Sequence, residues 1–258
     1  MQNYTSFILD LELVETQSLN AQYVLMKFHP ESPLPEMQPG QFIQVRVDGS
    51  PNTYLRRPIS INFVDSEKNL LWLLIQLVGD GTRTLAATPI GTKVNMILPL
   101  GNNFSKPETN DKVLLIGGGV GVAPLPMLGK EIKEQGLEVT FLLGARSAKD
   151  LLELEEFSKY GQVYTTTEDA SAGEKGFVTQ HSILTARSFT KIYTCGPKSM
   201  MQAVASYARQ KDIECEVSLE NSMACGIGAC LCCVEDTVDG HVCTCTTGPI
   251  FNTKKLKW

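Results

Sequence analysis

Six of the eight cysteines lie between Cys225 and Cys245. A stretch so rich in thiols is too short to bury a core of its own, so it must pack on the rest of the chain. Three of them, Cys225, Cys230 and Cys233, are spaced C-x4-C-x2-C, with Cys245 as a fourth candidate and Cys243 beside it. This is the plant-type pattern that holds a 2Fe-2S cluster on thiolates. Gly226 and Gly228, with the small Ala224 and Ala229, let backbone N–H groups approach the sulfurs. Zinc sites usually pair two short knuckles, and disulfides belong to oxidising compartments. The crowding of three ligands with a distant fourth favours the cluster over both. Spacing alone does not choose between Cys243 and Cys245. Cys232 adjoins Cys233 and is expected to point away as a small filler. A 2Fe-2S cluster moves one electron at a time, so the chain is expected to act as a wire.

The chain has 258 residues, room for two domains. Its net charge of −5 argues against non-specific nucleic-acid binding. Thiol richness without a basic-then-apolar start over Met1–Asp10 points to a reducing, cytoplasmic location. The longest uncharged apolar stretch, Val113–Gly129, contains Gly117–Gly119, Pro124 and Pro126. It reads as a strand and turn entering a helix, and no membrane span is expected.

Residues 1–104 read as a small antiparallel β-barrel. Short apolar runs at Tyr23–Phe28, Gln41–Val47, Ser60–Val64, Leu70–Val78 and Lys93–Leu98 are separated by turn residues. Residues 111–218 alternate strand and helix, which predicts a parallel, Rossmann-like sheet. Its expected helices are Leu125–Gln135, Ala148–Lys159 and Ser199–Gln210. Its expected strands are Val113–Ile116, Glu138–Leu143, Gln162–Thr166, Lys191–Thr194 and Glu214–Leu219. Residues 219–258 form the cysteine module.

Four further motifs carry chemistry. Gly117-Gly118-Gly119-Val120-Gly121 follows a strand and precedes a helix, where glycine allows close backbone approach to a phosphate; the alternative is a packing turn. The second strand is closed by Gly144-Ala145-Arg146-Ser147 rather than an acidic residue, which fits a dinucleotide that docks transiently. Cys195-Gly196-Pro197 ends a strand, where α/β sheets bind ligands, although a free cysteine is as readily a small buried hydrophobe. Arg56-Arg57-Pro58-Ile59-Ser60 places guanidinium groups at a strand start, suited to a diphosphate. Gly79-Asp80-Gly81-Thr82 reads as a turn with N–H groups and a hydroxyl, alone most simply a hairpin turn.

In this order the pieces resemble the ferredoxin–NADP reductase superfamily, in which a flavin barrel carries R-x-x-S, here Arg57 to Ser60. Ile59 stands where that family often has a flavin-stacking tyrosine. The resemblance is nearer to the electron-transfer subunits of type B dihydroorotate dehydrogenase. Those show R-R-P-I-S, G-x-G-T, a glycine turn ending A-P-L, M-x-C-G-x-G-x-C-x-x-C and a late cysteine before G-P-[VI]-F. Here these are Arg56–Ser60, Gly79–Thr82, Gly117–Leu125, Met223–Cys233 and Cys245–Phe251. The short Cys233–Cys245 interval with its extra cysteine is a departure.

The resemblance implies FAD at Arg57, Pro58, Ile59, Ser60, Leu74, Ile75, Gln76, Gly81 and Thr82. It implies NAD(H) across Gly117, Gly118, Gly119, Gly121, Gly196 and Pro197, with Cys195 at the reacting end. It selects Cys245, with Cys225, Cys230 and Cys233, as cluster ligands. It implies an FMN-containing catalytic partner, two copies of each subunit forming a heterotetramer in pyrimidine biosynthesis. Two other readings are a flavin subunit of a ferredoxin-dependent or hydrogenase-type complex, and a zinc-binding interaction module.

Overall fold

A computed structural model describes residues 5–258; the start of the expected barrel, Met1–Tyr4, lies outside the described residues. By contacts the chain divides into two units. Of the described residues, the first takes 5–103, 221–235 and 241–249; the second takes 104–220, 236–240 and 250–258. The tail is thus shared, with its cysteines in the first unit and its last residues in the second.

The first unit is built on seven antiparallel strands: β1 (Phe7–Ser18), β2 (Tyr23–Pro30), β3 (Phe42–Val45), β4 (Arg57–Ser60), β5 (Phe63–Asp65), β6 (Leu70–Gln76) and β7 (Lys93–Leu100). Their order is β4-β3-β7-β1-β2-β6-β5, and β4 returns alongside β6, so the sheet curls into a half-barrel. The long β1 goes beyond the sequence expectation. Its signal is the alternation of buried Leu11 and Leu13 with exposed Asp10 and Glu12, blurred by a bulge between Leu13 and Glu15. The expected run Ser60–Val64 is broken into β4 and β5.

Gly79–Thr82 is no hairpin turn. It opens helix α1 (Asp80–Ala86), because the Thr82 hydroxyl accepts the N–H groups of Val78 and Gly79 at 3.1 and 3.2 Å.

The second unit holds β8 (Val113–Gly118), α2 (Leu125–Glu134), β9 (Val139–Ala145), α3 (Leu154–Ser158), β10 (Gln162–Thr167), β11 (Glu174–Lys175), α4 (Ile183–Ala186), β12 (Lys191–Cys195), α5 (Lys198–Gln210) and β13 (Glu214–Ser218). The tail adds a hairpin, β14 (Val234–Thr237) and β15 (Gly240–Cys243), then α6 (Thr244–Thr247) and β16 (Ile250–Asn252). The sheet order is β11-β10-β9-β8-β12-β13-β16. All its pairs are parallel except β13 with the edge strand β16.

Winding therefore runs one way from β8 to β10 and the other way from β8 through β12. That reversal falls between β8 and β12, and the crevice outside the carboxyl ends of strands at such a point is the usual ligand site of these sheets. The single helix expected over Ala148–Lys159 is interrupted, because Glu153 takes a left-handed backbone (φ +55°) between a short 3-10 turn and α3.

Where the second unit begins, Lys191 is almost fully buried. Its ammonium meets Glu214 at 2.8 Å, Glu216 at 3.6 Å and the Ser105 hydroxyl at 2.9 Å. Tyr193 donates to the Ser105 carbonyl at 2.7 Å and packs edge-on to Phe104. The interdomain stretch is thereby locked onto this sheet. Among the described residues no helix is long and apolar enough to cross a membrane.

Candidate functional site

In the first unit the cysteine loop is seated on the barrel. Cys233 and Cys245 are buried in one cluster with Phe42 of β3 and Leu100 of β7, against which Ile97, Met223 and Cys243 also pack. Cys225 is half-buried and Cys230 exposed, so the thiols run from the barrel outward. Positive φ angles at Gly226 (+72°) and Gly228 (+81°) turn backbone N–H groups inward. Ile227 N–H reaches Cys225 Sγ at 3.4 Å, Gly228 N–H reaches Cys245 Sγ at 3.2 Å, and Cys245 N–H reaches Cys233 Sγ at 3.4 Å.

The Ile227 N–H holds the Cys225 thiol down to about 6, whereas burial, with Cys233 beside it, pushes Cys245 up to about 12. Thiolate ligation must therefore displace a proton from Cys245, so metal loading releases acid. All eight cysteines are unbridged. Among the described residues no three of Cys, His, Asp and Glu converge to hold a single ion. The close sulfur neighbours are Cys225 with Cys230, and Cys233 with both Cys243 and Cys245. A cluster that spreads four thiolates over two irons fits such pairs. Cys245 sits deeper than Cys243 and alone of the two accepts a loop N–H, which favours it as the inner ligand.

The same unit holds the arginine pair, whose members have different tasks. Arg56 is tied inward, donating to the carbonyls of Gln44 and Asn95 at 3.3 and 3.1 Å and to the Asn95 side chain. The guanidinium of Arg57 donates to the neighbouring Arg56 carbonyl at 3.2 Å. Its stem runs past the start of α1. A β-carbon on Gly81 would lie 3.0 Å from Thr53 Cγ2 and 3.4 Å from Arg57 Cδ. Only glycine leaves that cradle open, which suits the approach of a phosphate. Pro58, Ile59 and Ser60 remain half-exposed along β4, as does Gln76 at the end of β6. Leu74 and Ile75 are buried against β2, and the Thr82 hydroxyl donates to the Gly79 carbonyl at 3.1 Å. Thr53 is a member that sequence reasoning missed.

In the second unit the glycine turn and the Cys195-Gly196-Pro197 turn interlock. A β-carbon on Gly121 would lie 2.4 Å from Gly196 Cα, and one on Gly118 would lie 2.6 Å from Met200 Sδ. Gly117, Gly118 and Gly121 are buried, so their first requirement is close packing. Gly119 takes a left-handed backbone (φ +56°) and keeps exposed surface. Cys195 is fully buried, 3.8 Å from Glu220, and burial raises its thiol well above the ordinary range. Burial thus favours its neutral, protonated form.

Residues 115–206 match the model of the oxidoreductase NAD-binding domain. Residues 220–257 match the iron–sulfur cluster binding domain of dihydroorotate dehydrogenase B. The chain is 41% identical over 220 residues to the dihydroorotate dehydrogenase B (NAD(+)) electron transfer subunit of Shouchella clausii, covering 83% of this chain and 84% of that one. The chain belongs to this family.

The family's subunit from Listeria monocytogenes is 40% identical over 227 residues, covering 86% and 88% of the two chains. Among solved structures, the NADH-dependent reduced ferredoxin–NADP oxidoreductase studied for flavin-based electron bifurcation superposes with a TM-score of 0.87 at 30% identity, over 100% of this chain and 92% of that one. The ferredoxin reductase of carbazole 1,9a-dioxygenase shares the fold, with a TM-score of 0.68 at 20% identity, over 81% and 67%. The family is one of oxidoreductases, so the wire expected from the cysteine spacing is the family's activity, and the zinc-module reading falls away.

Because the Gly121–Gly196 contact is backbone against backbone, no rotamer change can relieve a side chain there. Gly121→Ala is expected to destabilise the second unit by about 1–3 kcal/mol. Urea unfolding of the full chain measures it, and an unchanged midpoint would mean that the turn yields freely.

Proposed function

We propose that this chain carries electrons from the FMN-containing catalytic subunit of a dihydroorotate dehydrogenase B through a 2Fe-2S cluster and FAD to NAD⁺. The observation that carries the reading is one strand. β3 pairs residue by residue with the Arg57–Ser60 strand while its Phe42 packs against the buried cysteines. A one-electron centre and a flavin motif thus share a scaffold, in a chain of this family. Bound flavin supplies the conversion between single electrons and the hydride pair of NADH.

The chain's own residues hold and orient these groups. Arg57, the arginine not tied inward, holds the flavin diphosphate, with Gly81 opening the cradle beside it. Pro58, Ile59 and Ser60 line the ring, Ile59 covering it with aliphatic carbon, and Gln76 meets its polar edge. Leu74, Ile75 and Thr82 keep that wall rigid. Cys225, Cys230, Cys233 and Cys245 ligate the cluster, with N–H groups aimed at their sulfurs. Gly119 lets the dinucleotide approach, Gly117, Gly118 and Gly121 keep the turn tight, and Cys195, Gly196 and Pro197 wall the crevice with a thiol that keeps its proton.

Ile227 and Leu231, both exposed apolar residues on either side of Cys230, give the cysteine loop an apolar rim. An apolar rim around an outward-facing ligand suits docking of the catalytic subunit. The assembly is then a heterotetramer of two copies of each, in the cytoplasm. The full-length likeness to a ferredoxin–NADP oxidoreductase supports a second reading, a reductase subunit of a ferredoxin-dependent complex.

Arg57→Ala is expected to copurify with much less flavin, since one charge-assisted contact contributes roughly 1.5–3 kcal/mol. Arg56→Ala should instead lower stability while flavin affinity holds; equal flavin loss in both variants would contradict the division. Cys245→Ser should lose iron and Cys243→Ser should keep it, read by iron quantification; the reverse pattern would overturn the ligand set. The purified chain should oxidise NADH with an artificial acceptor. Dihydroorotate should bleach its visible absorption only after the catalytic subunit is added, and unaided turnover of dihydroorotate would end the reading.

A further inference from the structure

Gln44 lies at the centre of β3, fully buried, and neither its Nε2 nor its Oε1 has a hydrogen-bond partner. An unsatisfied buried carboxamide is costly, and natural structures rarely leave one without a use. Its neighbour shows which way it faces. A β-carbon on Gly226 would lie 2.5 Å from Gln44 Nε2 and 2.7 Å from its Cγ. The amide end of Gln44 thus rests against the residue that follows Cys225. Two residues earlier on the strand, Phe42 packs against Cys233 and Cys245. Side chains two apart on a strand share a face, so Phe42 and Gln44 form one floor beneath the cysteine loop, the first apolar and the second a hydrogen-bond donor. The backbone of Gln44 is already in use: it pairs with Pro58, and its carbonyl accepts from Arg56. The side chain is left for the loop.

The geometry points to Gln44 as the hydrogen-bond donor that the barrel gives to the cluster, its Nε2–H directed at a sulfur on the cluster's inner edge, where it sets the reduction potential. This rests on the assignment of Cys225, Cys230, Cys233 and Cys245 as ligands. Hydrogen bonds to sulfur are one of the protein's means of tuning such centres. The reduced cluster carries one more negative charge than the oxidised one, so a donor favours the reduced form and raises the potential. Gly226 is then required twice, for its left-handed backbone and because any side chain would push the carboxamide off the loop. Gln44 is a positioning and tuning residue, not a ligand. Since its strand also carries the flavin motif as a partner, it fixes the potential at the step between the two centres.

The test uses the full chain with its cofactors. Gln44→Met keeps the length and removes the donor; Gln44→Glu keeps the shape and replaces the donor with a carboxyl. Both should retain iron and flavin. Losing one donor to a charged group should weaken reduction of the cluster roughly tenfold, a fall of about 59 mV for a one-electron couple in spectroelectrochemical titration. Gln44→Glu should fall further at neutral pH and recover as acid protonates its carboxyl. In the wild-type chain labelled with side-chain ¹⁵N-glutamine, pulsed EPR of the reduced cluster should show an amide nitrogen coupling that Gln44→Glu abolishes. An unmoved potential in both variants, a loss of flavin with the cluster unaltered, or a wild-type spectrum without that coupling would each overturn the proposal. A wild-type chain that holds no cluster would instead overturn the ligand assignment beneath it.

Discussion

The seating of a thiol-rich loop on an apolar barrel face is the interaction on which the first unit's chemistry depends. The loop has few large apolar residues, and two of them, Ile227 and Leu231, face solvent. It gains its order by burying Cys233 and Cys245 against Phe42 and Leu100. The end of the loop is pinned as well. Asn102 N–H donates to the Gly248 carbonyl at 2.7 Å, its side chain donates to the Thr247 carbonyl at 3.0 Å, and Gly101 packs so tightly on Pro249 and Phe42 that no side chain fits. Thiols scattered over a chain segment are gathered here because that segment is held at both ends and along its floor. β3 provides the floor, and the same strand orders Arg57–Ser60 through the antiparallel ladder. One short strand therefore relates two redox sites without any contact between their motifs in sequence.

The second unit solves a different problem, bringing two backbone turns together at the mouth of a parallel sheet. Reversal of the winding between β8 and β12 puts the glycine turn and the Cys195-Gly196-Pro197 turn side by side. The absence of β-carbons at Gly121 and Gly196 then lets them touch. At the opposite ends of the strands, buried Lys191 joins Glu214, Glu216 and Ser105. A buried ion pair of this kind adds little net stability but strongly opposes any arrangement that would strand one charge. It fixes where the interdomain stretch meets the sheet.

Local chemistry was legible where a motif must be contiguous. The C-x4-C-x2-C spacing, the glycine run after an apolar strand and the R-P-I-S strand could be read because each is short and each residue's type answers a steric or ligand need. Reading failed where a detail of backbone geometry or capping overrode the composition. Gly79–Thr82 has the composition of a turn, but the Thr82 hydroxyl converts it to a helix start. The stretch over residues 148–159 has a helical pattern, but a left-handed Glu153 splits it. In the glycine run, Gly117, Gly118 and Gly121 are buried in close packing, whereas Gly119 keeps exposed surface.

The sequence by itself determined which kinds of chemistry are on offer: clustered thiols suited to iron, a guanidinium suited to a diphosphate, a glycine turn suited to a nucleotide. Residue identity and spacing carry that information because ligand chemistry is local. The resemblance named Arg57 and Cys245, and the tertiary structure supplies the physical difference that sets each apart from its neighbour. Arg56 and Arg57 are adjacent and chemically alike, yet pleating turns one guanidinium into the carbonyls of Gln44 and Asn95 and leaves the other beside Gly81. Cys243 and Cys245 are two residues apart, yet a single turn of α6 buries the second beneath the Gly228 N–H. Gln44 carries no motif at all. Its part follows from being buried, unpaired and pressed against Gly226, which lies 182 positions further along the chain. Burial and through-space contact are properties of the folded chain, and no local pattern encodes them.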